Sequence, residues 1–302
     1  MREDIRELRA ALVLLTAAAI WGFAFVAQRA AMAHIGPFTF NGIRFLLGSG
    51  SLVPVLFLAR RRGRRTIDRP APSRSAWRSA MVIGVVLFVA SSLQQVGLVY
   101  TTAGKAGFIT GLYVILVPLI GLVLGQRVRW PVWIGATMAL GGLYLLTGHE
   151  TGRIGLGDGL VLASAFGWAA HVQMVGALVR RLEPIRIAVV QTAVCGALSL
   201  VVALATEEVS LAALRATVPA LAFAGVASVG IAYTFQIVGQ RRVDPSRAGL
   251  IISLEAVFAV LGGWLLLSEA VTGIMLLGCV LILAGMILSQ LRLRMRANGV
   301  NT

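Results

Sequence analysis

Arg44 and Glu255 are charged residue types set deep inside long apolar runs, PFTFNGIRFLL and SLEAVFAVLGGWLLLSE. Arg44 lies about two turns into its run, roughly 10 Å at the helical rise, and Glu255 about ten residues into its own, roughly 15 Å. Ionisable groups at that depth are costly and face a cavity or a partner. A guanidinium there can fork onto a carboxylate or brace backbone carbonyls of a neighbouring helix. A carboxyl group there can carry a proton or cation, or pair with a basic group such as Arg44. His171 follows Trp168 by one helical turn, so the two share a face; the imidazole is either a packed ring or part of a cavity wall and a second coupling candidate. Uncharged donors and acceptors accompany these groups: Asn41, Gln94, Gln95, Tyr100, Gln191, Tyr233 and Gln236, with Trp21 as a second indole. Amides and phenols mixed with aromatic faces suit a small amphiphilic solute.

Lys105 is the only lysine among 27 basic side chains, and it opens KAGFITGLY; 142 residues later Arg247 opens RAGLIISLE in the same register. Each basic group either meets an anionic solute at a mouth of the molecule or snorkels to an interface and fixes a helix end. Other chemistry finds little support. GLGDG, Gly155 to Gly159, matches the Gly-x-Gly-Asp pattern of intramembrane aspartyl proteases, but Asp158 reads as a helix N-cap and no second intramembrane aspartate accompanies it. There is no His-Glu-x-x-His and no Gly-x-Ser-x-Gly. Cys195 and Cys279 stand alone in apolar runs and read as packing residues. No metal and no cofactor is expected.

The elements that must carry these residues follow from composition. The 302 residues are 58% hydrophobic and 13% charged, with a mean hydropathy of +0.87. Such a chain belongs in a bilayer. Apolar stretches able to cross about 30 Å of hydrocarbon run at roughly 10–28, 36–59, 79–100, 105–125, 131–147, 158–179, 184–205, 217–239, 245–267 and 271–291. The first follows a basic start but contains Trp21, Phe23 and Phe25 and reads as a retained helix, not a cleaved signal. The expected fold is an all-α membrane protein of ten transmembrane helices.

The net charge of +15 would suggest nucleic acid in a soluble chain; here its distribution decides. Alternate connections and both ends hold 22 basic residues, against four in the others: Arg29, Lys105, Arg153 and Arg215. The positive-inside bias therefore puts both termini and the basic loop 60–78 in the cytoplasm, and no nucleic-acid partner is expected.

The halves repeat. A shift of 147 lays Trp21 on Trp168, Pro37 on Pro184 and Arg44 on Gln191; a shift of 142 lays Gln94 on Gln236, Lys105 on Arg247 and Gly121 on Gly263. Five helices per half is an odd number, so the second half enters the membrane from the opposite side. Expected units are 1–147 and 156–291, two inverted five-helix repeats, with a tail at 292–302. Such repeats can exchange inward-open and outward-open conformations around a midplane site. Glycines seven apart, Gly135 with Gly142 and Gly278 with Gly285, predict close helix packing.

The segments IWGFAFVAQRA, PFTFNGIRFLL, KAGFITGLYVIL and SLEAVFAVLGGWLLLSE resemble the drug/metabolite transporter superfamily, in particular its ten-helix EamA type, over nearly the whole chain. Within it the chain is most similar to YddG-type exporters of aromatic amino acids. The resemblance implies alternating-access export, a cavity lined by helices one to four and six to nine, and peripheral fifth and tenth helices. Two positions depart from the family's habit: Ala256 stands where proline often follows the glutamate, and Gln126 where an acidic residue often ends the fourth helix, which weakens a symmetric charged role for Glu269. The expected function is export of amino acids, aromatic ones foremost, or of related metabolites; broad drug or metabolite export is the alternative, and an intramembrane enzyme or a channel are competing classes. No filter of charges or carbonyls suggests a channel. The expected partners are a small-molecule substrate and the lipid bilayer, the chain acting as monomer or homodimer. The expected location is a bacterial inner membrane, in keeping with arginine-rich usage.

Overall fold

The computed structural model describes residues 2–61, 73–101, 103–147, 155–267 and 270–290. The middle of loop 60–78, the tail 292–302, Arg153, Glu269 and the side chain of Lys105 lie outside the described residues. All regular structure among the described residues is helical: α1 Arg2–Met32, α2 Pro37–Arg61, α3 Arg74–Tyr100, α4 Ala103–Gly111, α5 Tyr113–Val123, α6 Trp130–Thr147, α7 Leu156–Leu178, α8 Pro184–Thr206, α9 Leu211–Ala222, a π-helical stretch Phe223–Ala232, α10 Tyr233–Gly239, α11 Pro245–Ile252, α12 Glu255–Leu267 and α13 Gly273–Gln290. Joined where one runs into the next, they form ten spans. Seven are long and apolar enough to cross a membrane, and Ile109–Val123, Trp130–Leu146 and Gly273–Ser289 are shorter apolar helices.

Helix ends follow local chemistry. Pro37, Pro184 and Pro245 occupy the first helical position, where a missing N–H leaves no bond unmade. Asp244 caps α11 by accepting from Arg247 N at 3.0 Å. The third and eighth spans begin earlier than their apolar stretches, at Arg74 and Leu211, because Ser73 and Ser210 cap them by accepting from Ala76 N and Ala213 N. A hydropathy window does not register a cap. Asp158, expected as an N-cap, is instead the third residue of α7. It accepts from Gly155 N at 3.0 Å and from the Thr101 hydroxyl.

The fourth and ninth spans, expected to be continuous, are both broken, and at equivalent residues. Leu112 N bonds to Ile109 O, and Leu254 N to Ile251 O, each at 3.2 Å. These are tight three-residue turns that end one helix before the next begins. Ser253 reinforces the second by donating to Leu250 O at 2.8 Å. The eighth span carries a different irregularity, ten residues of π-helix, whereas the equivalent part of α3 is regular α-helix.

The halves interlock: α2 packs on α8, α3 on α7, and α1 on the eighth and ninth spans. The α6–α13 crossing shows why glycine recurs there. A Cβ on Gly135 would stand 2.5 Å from Gly285 O, and one on Gly142 2.5 Å from Gly278 O. Backbone meets backbone at both points, so the four glycines serve helix packing within one chain. Amides and hydroxyls such as Asn41, Gln95, Gln191 and Ser199 are buried, while Val123 (88%) and Leu204 (86%) face outward, as a bilayer-exposed surface requires.

Candidate functional site

A cavity opens among the spans that carry the repeat's matched residues. It is lined by Trp21, Phe25 and Gln28 of α1, Arg44 of α2, Gln94 of α3, Thr110 and Tyr113 at the α4–α5 break, and Trp168, His171 and Val172 of α7. The eighth and ninth spans add Ser228, Tyr233, Gln236, Ile252 and Glu255. Its free volume is about 70 Å³, room for a few water molecules, so the walls are drawn in around the site.

Arg44 is buried at 4% exposure. Its Nε donates to Asn41 Oδ1 at 3.0 Å, one turn earlier on α2. The guanidinium carbon lies 5.1 Å from the Phe40 ring centre and 4.9 Å from that of Phe45, an arrangement that favours a cation against aromatic faces. Among the described residues no carboxylate lies within ion-pair distance of it. The alternative of an Arg44–Glu255 pair is therefore not what forms. Glu255 Oε1 instead accepts from the Tyr113 hydroxyl at 3.2 Å. Tyr113 and Glu255 are 142 residues apart, the repeat shift itself, and each is the first residue after its span's break.

Tyr233 sits at the middle of the aromatic wall. Its ring centre is 5.0 Å from that of Trp21, edge on, 5.9 Å from Phe45 and 5.9 Å from His171. His171 also stands 6.1 Å from Trp168, at 84°, as the one-turn spacing predicted. His171 Nε2 lies 3.0 Å from the side-chain amide of Gln191, which holds the ring in place.

The two tryptophans are held differently. Trp168 Nε1 donates to Gln94 Oε1 at 3.1 Å, and Gln94 in turn donates to Thr110 Oγ1 at 3.4 Å. The symmetric bond would run from Trp21 to Gln236. Trp21 Nε1 instead donates to Ser228 O at 3.0 Å, in the π-helical stretch, and Gln236 Oε1 is buried with no hydrogen-bond donor among the described residues.

Of the residues singled out from sequence, Trp21, Arg44, Gln94, Trp168, His171, Tyr233, Gln236 and Glu255 line the cavity. Asn41 and Gln191 stand behind it and hold Arg44 and His171. Gln95 is fully buried but off the wall, and Tyr100 is 63% exposed at the end of α3. Sequence reasoning missed Phe25, Gln28, Thr110, Tyr113 and Ser228. Tyr113 could have been found, since the shift of 142 lays it on Glu255.

Comparison with known proteins agrees on one family. The chain matches the EamA-like transporter family over residues 8–148 and 155–291. It is 30% identical over 296 residues to an uncharacterized transporter of Archaeoglobus fulgidus, covering 96% of this chain and 88% of that one. It is 22% identical to the uncharacterized transporter YoaV of Bacillus subtilis, over 91% of this chain and 94% of the relative. A crystal structure of a protein superimposes with a TM-score of 0.78 at 23% identity, over 96% of this chain and 99% of that one; that likeness concerns the fold.

Proposed function

The chain belongs to the EamA-like transporter family, and from that premise we propose that it exports amino acids, aromatic ones foremost, across a bacterial inner membrane by alternating access. That it is a multi-pass membrane transporter and not an enzyme follows from the family and its relatives. The substrate rests on one observation: a buried arginine on the cavity wall with no carboxylate within ion-pair distance among the described residues, beside an aromatic box. A solute carboxylate supplies the missing partner and makes charge-assisted bonds to Arg44. Gln236 Oε1, which has no donor among the described residues, accepts from the solute's amino group, and Trp21, Trp168 and Tyr233 pack its apolar body. Lys105 draws anionic solutes to the outer mouth.

Alternating access is supported by the repeats, taken as 1–147 and 156–291. In inverted-repeat carriers one half adopts what the other relinquishes. Here the asymmetry is visible in the tryptophans: Trp168 holds Gln94, while Trp21 has left Gln236 for Ser228. In the opposite-facing state Trp21 holds Gln236 and Trp168 releases Gln94. The paired breaks at Leu112 and Leu254 are where the fourth and ninth spans bend to widen the contracted cavity. Glu255 is the coupling carboxyl, releasing or taking a proton as its bond to Tyr113 is broken and remade.

Counterflow of labelled phenylalanine, tryptophan, threonine and methionine into preloaded proteoliposomes tests this reading. Saturable exchange of the aromatic pair is expected, absent from protein-free vesicles. Exchange of none of the four would remove the amino-acid assignment and leave the family.

A further inference from the structure

On the face that the arginine bias assigns to the cytoplasm, away from the central cavity, a recess of about 560 Å³ opens between the α5–α6 turn, the end of α7 and the start of α11. Five arginines line it, Arg127, Arg129, Arg180, Arg181 and Arg247, against one carboxylate, Asp244. That carboxylate is committed: it accepts from Arg247 N at 3.0 Å and lies 3.9 Å from Arg247 Nε. Glu7 also serves Arg247, at 3.7 Å, and Glu183 is taken by Arg186 at 2.8 Å. Among the described residues no carboxylate comes within 4 Å of Arg127, Arg129, Arg180 or Arg181. Gathering like charges into one concavity is unfavourable unless an anion answers them.

The local fold produces the gathering. α5 ends with Gln126 N bonded to Gly121 O at 2.8 Å and Gly125 N to Leu122 O at 2.9 Å, with Gly125 at φ +74°. That paired closure requires a left-handed residue, which glycine supplies. It turns the chain back so that Arg127 and Arg129 come over the end of α7, where Arg180 and Arg181 stand. Arg78 and Arg242, on the same basic side, are not among the residues that line it.

We propose that this recess binds a phosphate group, gripped by the arginine forks as a phosphodiester or phosphomonoester oxyanion. Val123 and Leu124, 88% and 62% exposed, lie just before the turn, so the recess borders the lipid-facing surface. An anionic phospholipid headgroup can therefore reach it with its chains along α5, and a free phosphate compound can reach it from the cytoplasm.

The test uses delipidated full-length protein in neutral detergent. Melting temperature and native mass spectra are recorded with phosphatidylglycerol, phosphatidylcholine or inorganic pyrophosphate, at low and at physiological salt. The same series is run on Arg127→Gln/Arg180→Gln and on Arg242→Gln as a control outside the recess. Retention and stabilisation by phosphatidylglycerol, weakened about tenfold or more in the double variant and intact in the control, identifies a lipid headgroup. The same pattern with pyrophosphate and not with lipid identifies a soluble phosphate compound and equally supports the site. Equal responses of wild type and double variant to both probes would overturn it.

Discussion

The two repeats build the cavity from matched positions yet fill them with different chemistry. In register, Trp21 matches Trp168, Phe25 matches Val172, Gln94 matches Gln236, Thr110 matches Ile252 and Tyr113 matches Glu255, and all ten residues line the wall. The remaining lining groups, Arg44, Gln28, His171, Ser228 and Tyr233, have no twin on the wall; Arg44 answers to Gln191 and Tyr233 to the buried Ser91, both off it. The matched set gives shape: aromatic planes, amides and helix breaks at the same register in each half. The unmatched set gives a cation in the first half and an imidazole in the second, while the carboxyl, Glu255, replaces the phenol of Tyr113 within a matched pair. On the proposed reading, symmetry supplies two exchangeable conformations, and its violation decides what is recognised.

Breaking the unmatched charge should have the largest effect. Arg44→Gln makes the halves alike at that position. Counterflow kcat/KM should fall about 100-fold or more, the scale of losing one partner of a buried charge pair, with protein yield and melting curve reporting that the fold persists. Attacking the matched scaffold instead should cost stability: Gly142→Leu and Gly285→Leu, on opposite sides of the α6–α13 crossing, should each destabilise by about 1–3 kcal/mol through overpacking, read as a lower melting temperature. Similar losses at both would confirm that the crossing treats the halves equally.

The tryptophans sharpen the comparison. Trp168→Phe strands Gln94 Oε1 in a buried site, at a cost of about 1–3 kcal/mol, so exchange should drop roughly tenfold. Trp21→Phe, which removes only a bond to a backbone carbonyl in this state, should cost less; equal losses would contradict the asymmetry. The smallest expected effect on exchange belongs to Glu255→Gln, since an amide can still accept from Tyr113 and the change should stay within about fivefold. Accumulation driven by a proton gradient should nevertheless be lost, and a variant that still accumulates solute would remove Glu255 from coupling.

Much of this arrangement was legible in the sequence because a bilayer imposes strong signals. Ten apolar stretches, the arginine bias and the shift of 142 needed no coordinates. Trp21, Arg44, Trp168 and Glu255 stood out because polar or aromatic groups in such stretches are few. Three features did not show. The breaks at Leu112 and Leu254 leave hydropathy unchanged, since only the hydrogen-bond register alters. The π-helical stretch is equally invisible and determines where the Trp21 indole binds. Gln95 and Tyr100 share the composition of their neighbours but not their direction: Gln95 is buried away from the wall and Tyr100 faces outward, a matter of helix rotation that spacing alone did not resolve.

The most direct measurement of the central claim is a pair of spin-label distances in one cysteine-free background, Cys195→Ser/Cys279→Ser. One pair, at Ala33 and Glu208, spans the two repeats on the outer face, and the other, at Leu124 and Arg242, spans them on the inner face. Adding transported solute, or moving the pH across the range in which transport changes, should shift the two distances in opposite directions, one shortening as the other lengthens. Distances that never change, or that lengthen together, would contradict exchange of conformations between the repeats.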